Sequence, residues 1–455
     1  MYDRARELAE RSYEIRRQVL GPRNLSTAES LFLFANTTRL KGDYRGAEPL
    51  FTEALDIQRA KLGEESATVS HTLSFLGECL FLEGKDVEAE SKLRQALAIF
   101  RRAGPNAGSM TRDYLARLLE RKGDYLEAAQ LLREAVEIDK RTQGADSPVY
   151  TKSLHNLAGA LYRLGNLYSA EAKLNESLEI ERRVLGSDHP DLGYPLNLLG
   201  GVALDEGDWK KAEPLLRESF AIWSKLDPSN VLVVSAFNSR GRLLQAEGRY
   251  SEARRDFERA LDTAQHQAGR TYTAARVLYN FALLEFDAGD YRAAEERAER
   301  SLSMARAING GETAPDTAFT MIALAEARLL QGDPANAEPI LRSALEILKN
   351  KLPPRYPPVM TAEIRLGEAL IAERKAAAAE PILREALASA YAPPFRIPAW
   401  QVGEAESALG WCLAVLGRTD ESRTFLWRSR EKLATDPRPI FRKLAATHWS
   451  DIVQQ

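Results

Sequence analysis

The chain of 455 residues carries a formal net charge of −3 and is 44% hydrophobic and 28% charged. That is too apolar for intrinsic disorder, and it lacks the basic excess that draws a domain onto nucleic acid. Two distant cysteines, Cys79 and Cys412, exclude a disulfide framework of the secreted type, and no stretch reaches the roughly 18 to 20 apolar residues that cross a bilayer.

Ala, Leu, Glu and Arg dominate over the strand-favouring Val, Ile and Thr, which is a helical composition. The first predicted element, "DRARELAERSYEIRRQVLG", is charged throughout and has no apolar core segment, so it is not a signal peptide. From residue 22 onward one turn recurs: "KGDYRGAEPL", "EGKDVEAESKL", "KGDYLEAAQLL", "LGNLYSAEAKL", "EGDWKKAEPLL", "EGRYSEARRDF", "AGDYRAAEERA", "QGDPANAEPIL", then the weaker "ERKAAAAEPIL" and "LGRTDESRTFL". Its glycines are Gly42, Gly84, Gly123, Gly165, Gly207, Gly248, Gly289, Gly332 and Gly417, with Arg374 in the ninth slot, spaced 39 to 43 residues apart. A period of that length marks a repeat array, here of ten units.

Residue size agrees at fixed distances from this turn. Seven residues before it stand only Gly or Ala, from Ala35 and Gly77 to Gly367 and Gly410. Five residues after it stand nine Ala and Ser422, and twelve after it only Ala or Ser, from Ala54 to Ser429. Large apolar residues surround these small ones at helical spacing, as Leu154, Leu157 and Leu161 do before Gly165. Each unit therefore reads as two amphipathic helices in close contact. The glycine supplies the left-handed cap of the first, and Asp43, Asp124, Asn166, Asp208, Asp290 and Asp333 are placed to cap the second. One unit alone leaves an apolar face that only a neighbouring unit covers. Arg374, Arg240 at a slot that calls for an apolar residue, and Arg430 are departures that bear on packing in repeats 9, 6 and 10. The last element, "RPIFRKLAATHWSDIVQQ", has Pro439 suited to a first turn and Ile440, Phe441, Leu444, Trp449 and Ile452 on one face, as a capping helix would.

With these positions in place, the chain resembles the tetratricopeptide repeat family, and its longer period and "AEPL" cadence are similar to the kinesin light chain type. The resemblance implies an all-α fold, a right-handed superhelical solenoid of about ten antiparallel helix pairs. It divides the chain into the second helix of an incomplete N-terminal repeat (1–21), ten tandem repeats (22–435) and a C-terminal capping helix (436–455). Ala5, Ser12 and Ile15 fill second-helix slots, so the chain is read as starting half-way through a repeat. The function implied is a non-catalytic scaffold that holds an extended peptide or partner helix in a concave groove. The family also offers an alternative, the interaction region of a larger bacterial signalling enzyme such as a serine/threonine kinase.

In that family the groove is lined by first helices, at slots 13, 10, 9 and 6 residues before the turn glycine. Carried onto this sequence, those slots give Lys152, His155 and Asn156 in repeat 4, Asn197 in repeat 5, Asn238 and Arg242 in repeat 6, and Arg276, Tyr279 and Asn280 in repeat 7. Four consecutive repeats thus place an Asn at adjacent slots, and an Asn amide pairs with peptide N–H and C=O groups whatever the side chains. Lys152, Arg242 and Arg276 predict a basic middle and Glu326, Glu368 and Glu404 an acidic C-terminal part, complementary to a partner of the opposite pattern.

No chemistry-bearing motif competes with this reading. His71, His155, His189, His266 and His448 lie in different repeats and form no HExxH, and the chain has no P-loop, dinucleotide glycine fingerprint, kinase catalytic loop or GxSxG elbow. The stretch "VLGSDHPDLGY" gathers Asp188, His189 and Asp191, yet it stands at the phase of the connectors "LGPRNLS" and "LGEESAT" and reads as a turn, not a metal site. "KLPPRYPPVM" and "YAPPFRIPAW" fall at that same phase and read as stiff connectors. The expectation is a cytoplasmic protein with no enzyme activity, cofactor or metal. Its partner is a protein or peptide, without nucleic acid or membrane insertion.

Overall fold

The computed structural model describes residues 2–228, 230–265, 271–307, 311–391 and 397–434. The expected capping helix, His266 and His448 lie outside the described residues. Among the described residues there are 21 α-helices and no strand. They belong to two units, Met1–Ala160 and Leu161–Gln455, each built by the same local rule.

The first helix of every repeat stops at the recurring turn because one residue there turns left-handed. The nine turn glycines have φ between 69° and 85°, and Arg374 adopts φ 63° in the ninth slot. The departure at Arg374 therefore keeps the turn and carries a backbone strain of about 1–2 kcal/mol that glycine avoids. Asp43, Asn166, Asp208, Asp290 and Asp333 accept a hydrogen bond from the backbone N–H three residues on. Asp124 stands at the same position without making that bond.

Close packing explains the small residues. The Gly or Ala seven residues before the turn lies against the large apolar side chain nine residues after it: a Cβ on Gly200 would stand 2.4 Å from Leu216, and one on Gly367 2.5 Å from Leu383. At three of the positions where Ser replaces Ala in the second helix, its hydroxyl bonds a carbonyl of the facing helix: Ser301 to Ala275 at 2.7 Å, Ser219 to Gly193 at 3.1 Å and Ser422 to Gly410 at 2.7 Å. Gly200→Val should lower stability by about 1–3 kcal/mol through overpacking. The measurement is a urea midpoint that falls at constant slope, and an unchanged midpoint would refute the close approach.

First helices also touch the first helix of the next repeat, from repeat 1 to repeat 3 in the first unit and from repeat 5 to repeat 10 in the second. That closer succession makes them the inner layer of each unit. In the second unit the winding brings distant repeats together. Arg163 of repeat 4 bonds Asp316 of repeat 8, and the turn at Gly207 in repeat 5 lies beside Trp400 of repeat 10. At the start of the chain, Tyr2–Leu20 packs on Leu25–Leu40 and leaves Leu8, Ile15 and Val19 exposed.

The connectors among the described residues are turns, and most of the stretch before Trp400, residues 392–396, lies outside them. His189 caps a short 3₁₀ helix, Pro190–Leu192, its Nδ1 accepting the Asp191 N–H at 3.3 Å. Trp223 closes over this connector, donating from Nε1 to the Pro190 carbonyl at 2.9 Å and packing on Gly193. "KLPPRYPPVM" joins the helix ending at Lys351 to the one starting at Pro357. Arg430 is exposed near the end of the last described helix. Among the described residues no helix is long and apolar enough to cross a membrane. Both thiols are buried, and burial pushes Cys79 up to about 12 and Cys412 up to about 11. Neither should be alkylated by iodoacetamide at pH 8 until the chain is unfolded. Mass spectrometry of the native protein checks this, and a modified Cys79 or Cys412 would contradict the packing.

Candidate functional site

The sequence-predicted residues divide between the units. In the first unit, Lys152, His155 and Asn156 lie on the helix Pro148–Arg163, with Lys152 exposed and the other two half-buried. The Asn156 amide lies near the carboxyl of Asp113, on the first helix of repeat 3, and favours its charged form. Asp113 keeps one edge in solvent, but its Oδ1 is buried without a partner. Burial pushes this carboxyl up to about 6, and Asp139 adds to the rise; Lys152, Asn156 and Arg117 favour the charge without winning. Asp113 occupies the slot that Asn197 and Asn238 fill in their own repeats, which is the signal that identifies it.

In the second unit Asn238 and Asn280 are both buried, and Nδ2 of Asn280 donates to Oδ1 of Asn238 at 2.9 Å. Asn197 makes no such bond, and its Oδ1 is sealed from solvent without a partner. Arg242 donates to Asp205 at 2.6 Å, and the Tyr162 hydroxyl binds the same carboxylate. Tyr279 is half-buried, and burial together with nearby Glu326 and Asp205 pushes its hydroxyl pKa upward. Arg276 is exposed.

A second polar group, which slot reading did not find, ties four repeats of this unit together. Arg163 Nη1 meets both oxygens of Asp316 at 2.7 and 2.9 Å, and its Nη2 reaches the Tyr272 hydroxyl at 2.6 Å. Tyr272 donates to Asp316 at 2.6 Å, and the Tyr356 hydroxyl donates to the Arg163 carbonyl at 2.7 Å. Burial works against charge on Asp316, but the Arg163 guanidinium, the Tyr272 hydrogen bond and the charge of Arg276 outweigh it and hold the carboxyl below its usual range.

The acidic C-terminal row is not a free row. Glu326, Glu368 and Glu404 converge on the Arg365 guanidinium, which is 2% exposed: Arg365 donates to Glu368 at 2.9 Å, to Glu404 at 2.6 Å, and to Glu326. Arg365 sits nine residues before the turn position, the slot of Asn156 and Asn280. The basic middle is likewise reduced, because Asp205 neutralises Arg242. Among the described residues no group of three or more His, Cys, Asp or Glu is placed to hold a metal ion.

Residues 1–60, 68–141, 150–225, 232–307 and 273–350 each match the tetratricopeptide repeat. The chain belongs to the tetratricopeptide repeat family. Two solved structures are similar to this tetratricopeptide repeat protein: kinesin light chain nearly identical TPR-like repeats from Podosopora anserina, at 23% identity, and a single-substitution variant of them, at 22%. Each covers 44% of the present chain, with 96% and 95% of its own length matched and a TM-score of 0.34. No curated protein matches the chain.

Proposed function

We propose that this tetratricopeptide repeat protein is a cytoplasmic, non-catalytic scaffold whose first-helix face holds an extended peptide or partner helix. Repeats of this family generally mediate contacts between proteins. The observation that carries the reading is the inner row of first helices in repeats 5 to 7, which sets Asn197, Asn238, Arg242, Arg276, Tyr279 and Asn280 at its groove slots although the layer behind it is apolar. Within that row Asn197 holds a carbonyl oxygen without a donor, a deficit of about 1–3 kcal/mol. Half a turn of its amide brings that oxygen to the open side, where a peptide N–H satisfies it. In the second unit Asn197, Arg276 and Tyr279 are the side chains that meet the partner, and in the first unit Lys152 and His155 stand at the corresponding slots. Asn238, Arg242 and Asn280 already bond neighbouring helices and hold the face in shape, and Asn156 lies against the Asp113 carboxyl.

The test begins with recovering the partner from native cells and mapping its bound segment by cross-linking. Replacing Asn197 and Arg276 together by Ala should then weaken that segment's binding at least tenfold without shifting the unfolding midpoint. Undiminished affinity in the double variant would end the groove reading.

A further inference from the structure

Repeat 6 departs from the array at one large-residue slot, beside a shortened helix of repeat 5. Its first helix carries Arg240 where every other repeat has Leu or Phe. The preceding second helix, Trp209–Trp223, has 15 residues against 18 or 19 in repeats 1 to 4, a shortening shared with the second helices of repeats 6, 7, 9 and 10 at 15 or 16. A missing large side chain and a missing last turn leave space between the second helices of repeats 5 and 6. The Arg240 guanidinium crosses that space, lying 3.7 Å from the Phe220 ring centre and pairing with Asp256 through two contacts of 2.6 Å. Cavities of about 260 Å³ and about 450 Å³ flank it, both lined by Phe220 and Arg240.

The smaller cavity combines two kinds of surface. Its floor is apolar, with Val233 and Phe237 buried and Phe220 and Leu226 packed on the same core cluster. At its mouth Arg259 lies 4.8 Å from the Phe237 ring centre and has no hydrogen bond or ion pair among the described residues. Arg240 next to it is already matched by Asp256. One unmatched guanidinium above an apolar pit selects an anion that carries an apolar body, because each half alone leaves the other unsatisfied. The volume stands at the small end of ligand sites and suits a single ring or branched chain.

We propose that this cavity is a binding site for a carboxylate attached to an aromatic or branched apolar group. The apolar body rests against Phe220, Val233 and Phe237, and the carboxylate meets the Arg259 fork. Such a group comes either from a free carboxylic acid or from the C-terminal residue of a peptide, and both offer the same chemistry. The site is framed by the second helices of repeats 5 and 6 with the first helix of repeat 6 as its floor, and it uses none of the groove slots.

Titration calorimetry of the full chain with phenylacetate, N-acetyl-phenylalanine and phenylacetamide tests the proposal. At least one carboxylate should bind about tenfold or more tightly than the neutral amide. Tighter phenylacetate identifies a free acid, and tighter N-acetyl-phenylalanine a peptide terminus. Arg259→Gln should abolish the preference for the carboxylate without moving the thermal midpoint, because Arg259 is exposed. Arg259→Lys should retain part of it, since the charge stays and the fork is lost. Equal binding of carboxylate and amide, absence of binding by both carboxylates, or undiminished carboxylate affinity in Arg259→Gln would each overturn the assignment.

Discussion

Replacing Arg365 by Met is expected to cost about 3–5 kcal/mol at neutral pH. The guanidinium is buried and binds carboxylates from three successive repeats, Glu326, Glu368 and Glu404. Met fills the volume of the stem, but it leaves three negative charges facing one another where solvent reaches them poorly. Taking up protons relieves that repulsion, so the variant should recover toward the parent protein as the pH falls from about 7 to about 4.5. Adding Glu326→Gln and Glu404→Gln to the Met variant should return more stability at pH 7.5 than the same changes do beside an intact Arg365. Urea unfolding of the four proteins closes the cycle. A neutral-pH loss below about 1 kcal/mol, or a loss that stays constant with pH, would show that the cluster does not depend on this cation.

Phase alone made the helix pairs legible. A glycine that must turn left-handed, a small residue that admits Leu216 or Leu383 against the backbone, and an Asp or Asn at the next cap are all decided within one repeat. They are therefore visible in one repeat and multiplied by ten. The candidate face was legible as a set of positions but not as a set of free groups. Whether Asn280 is available depends on Asn238 in the repeat before it, and whether Arg242 is available depends on Asp205. Slots examined helix by helix do not report such pairs, although Arg365 and Asp113 stand at the same slots as the asparagines and were within reach of that method. Arg163 and Asp316 are a different case. They are 153 residues apart, and what joins them is a small rotation per repeat accumulated over four repeats, which no local pattern encodes. Arg240 was recognisable as an anomaly. That it stacks on Phe220 between two cavities depends on where a side chain of the repeat before it comes to lie, which the repeat phase does not encode.

Asp113→Asn should raise stability by about 2 kcal/mol at pH 7.5. The native carboxyl is lifted to about 6 by burial, with Asp139 adding to the rise and Lys152, Arg117 and Asn156 opposing it. The folded chain therefore holds this proton more tightly than the unfolded chain does, whose carboxyl titrates near about 3.9. Stability consequently falls as the pH climbs from about 4 to about 6, and it stays lower above that range. Complete burial would make the difference about 3 kcal/mol, and the edge of Asp113 still reached by solvent reduces it to about 2. Asn has nearly the same shape and carries no charge, so it removes the burial cost and keeps the packing beside Asn156. Chemical unfolding at pH 7.5 and pH 4 distinguishes this from a general improvement in packing. The gain should nearly vanish at pH 4, where the native carboxyl is itself protonated in the fold. A variant that is less stable than the parent at pH 7.5 would mean that Lys152 and Asn156 stabilise the ionised form, and that unit 1 carries its negative charge on this face by design of the pair rather than in spite of its burial.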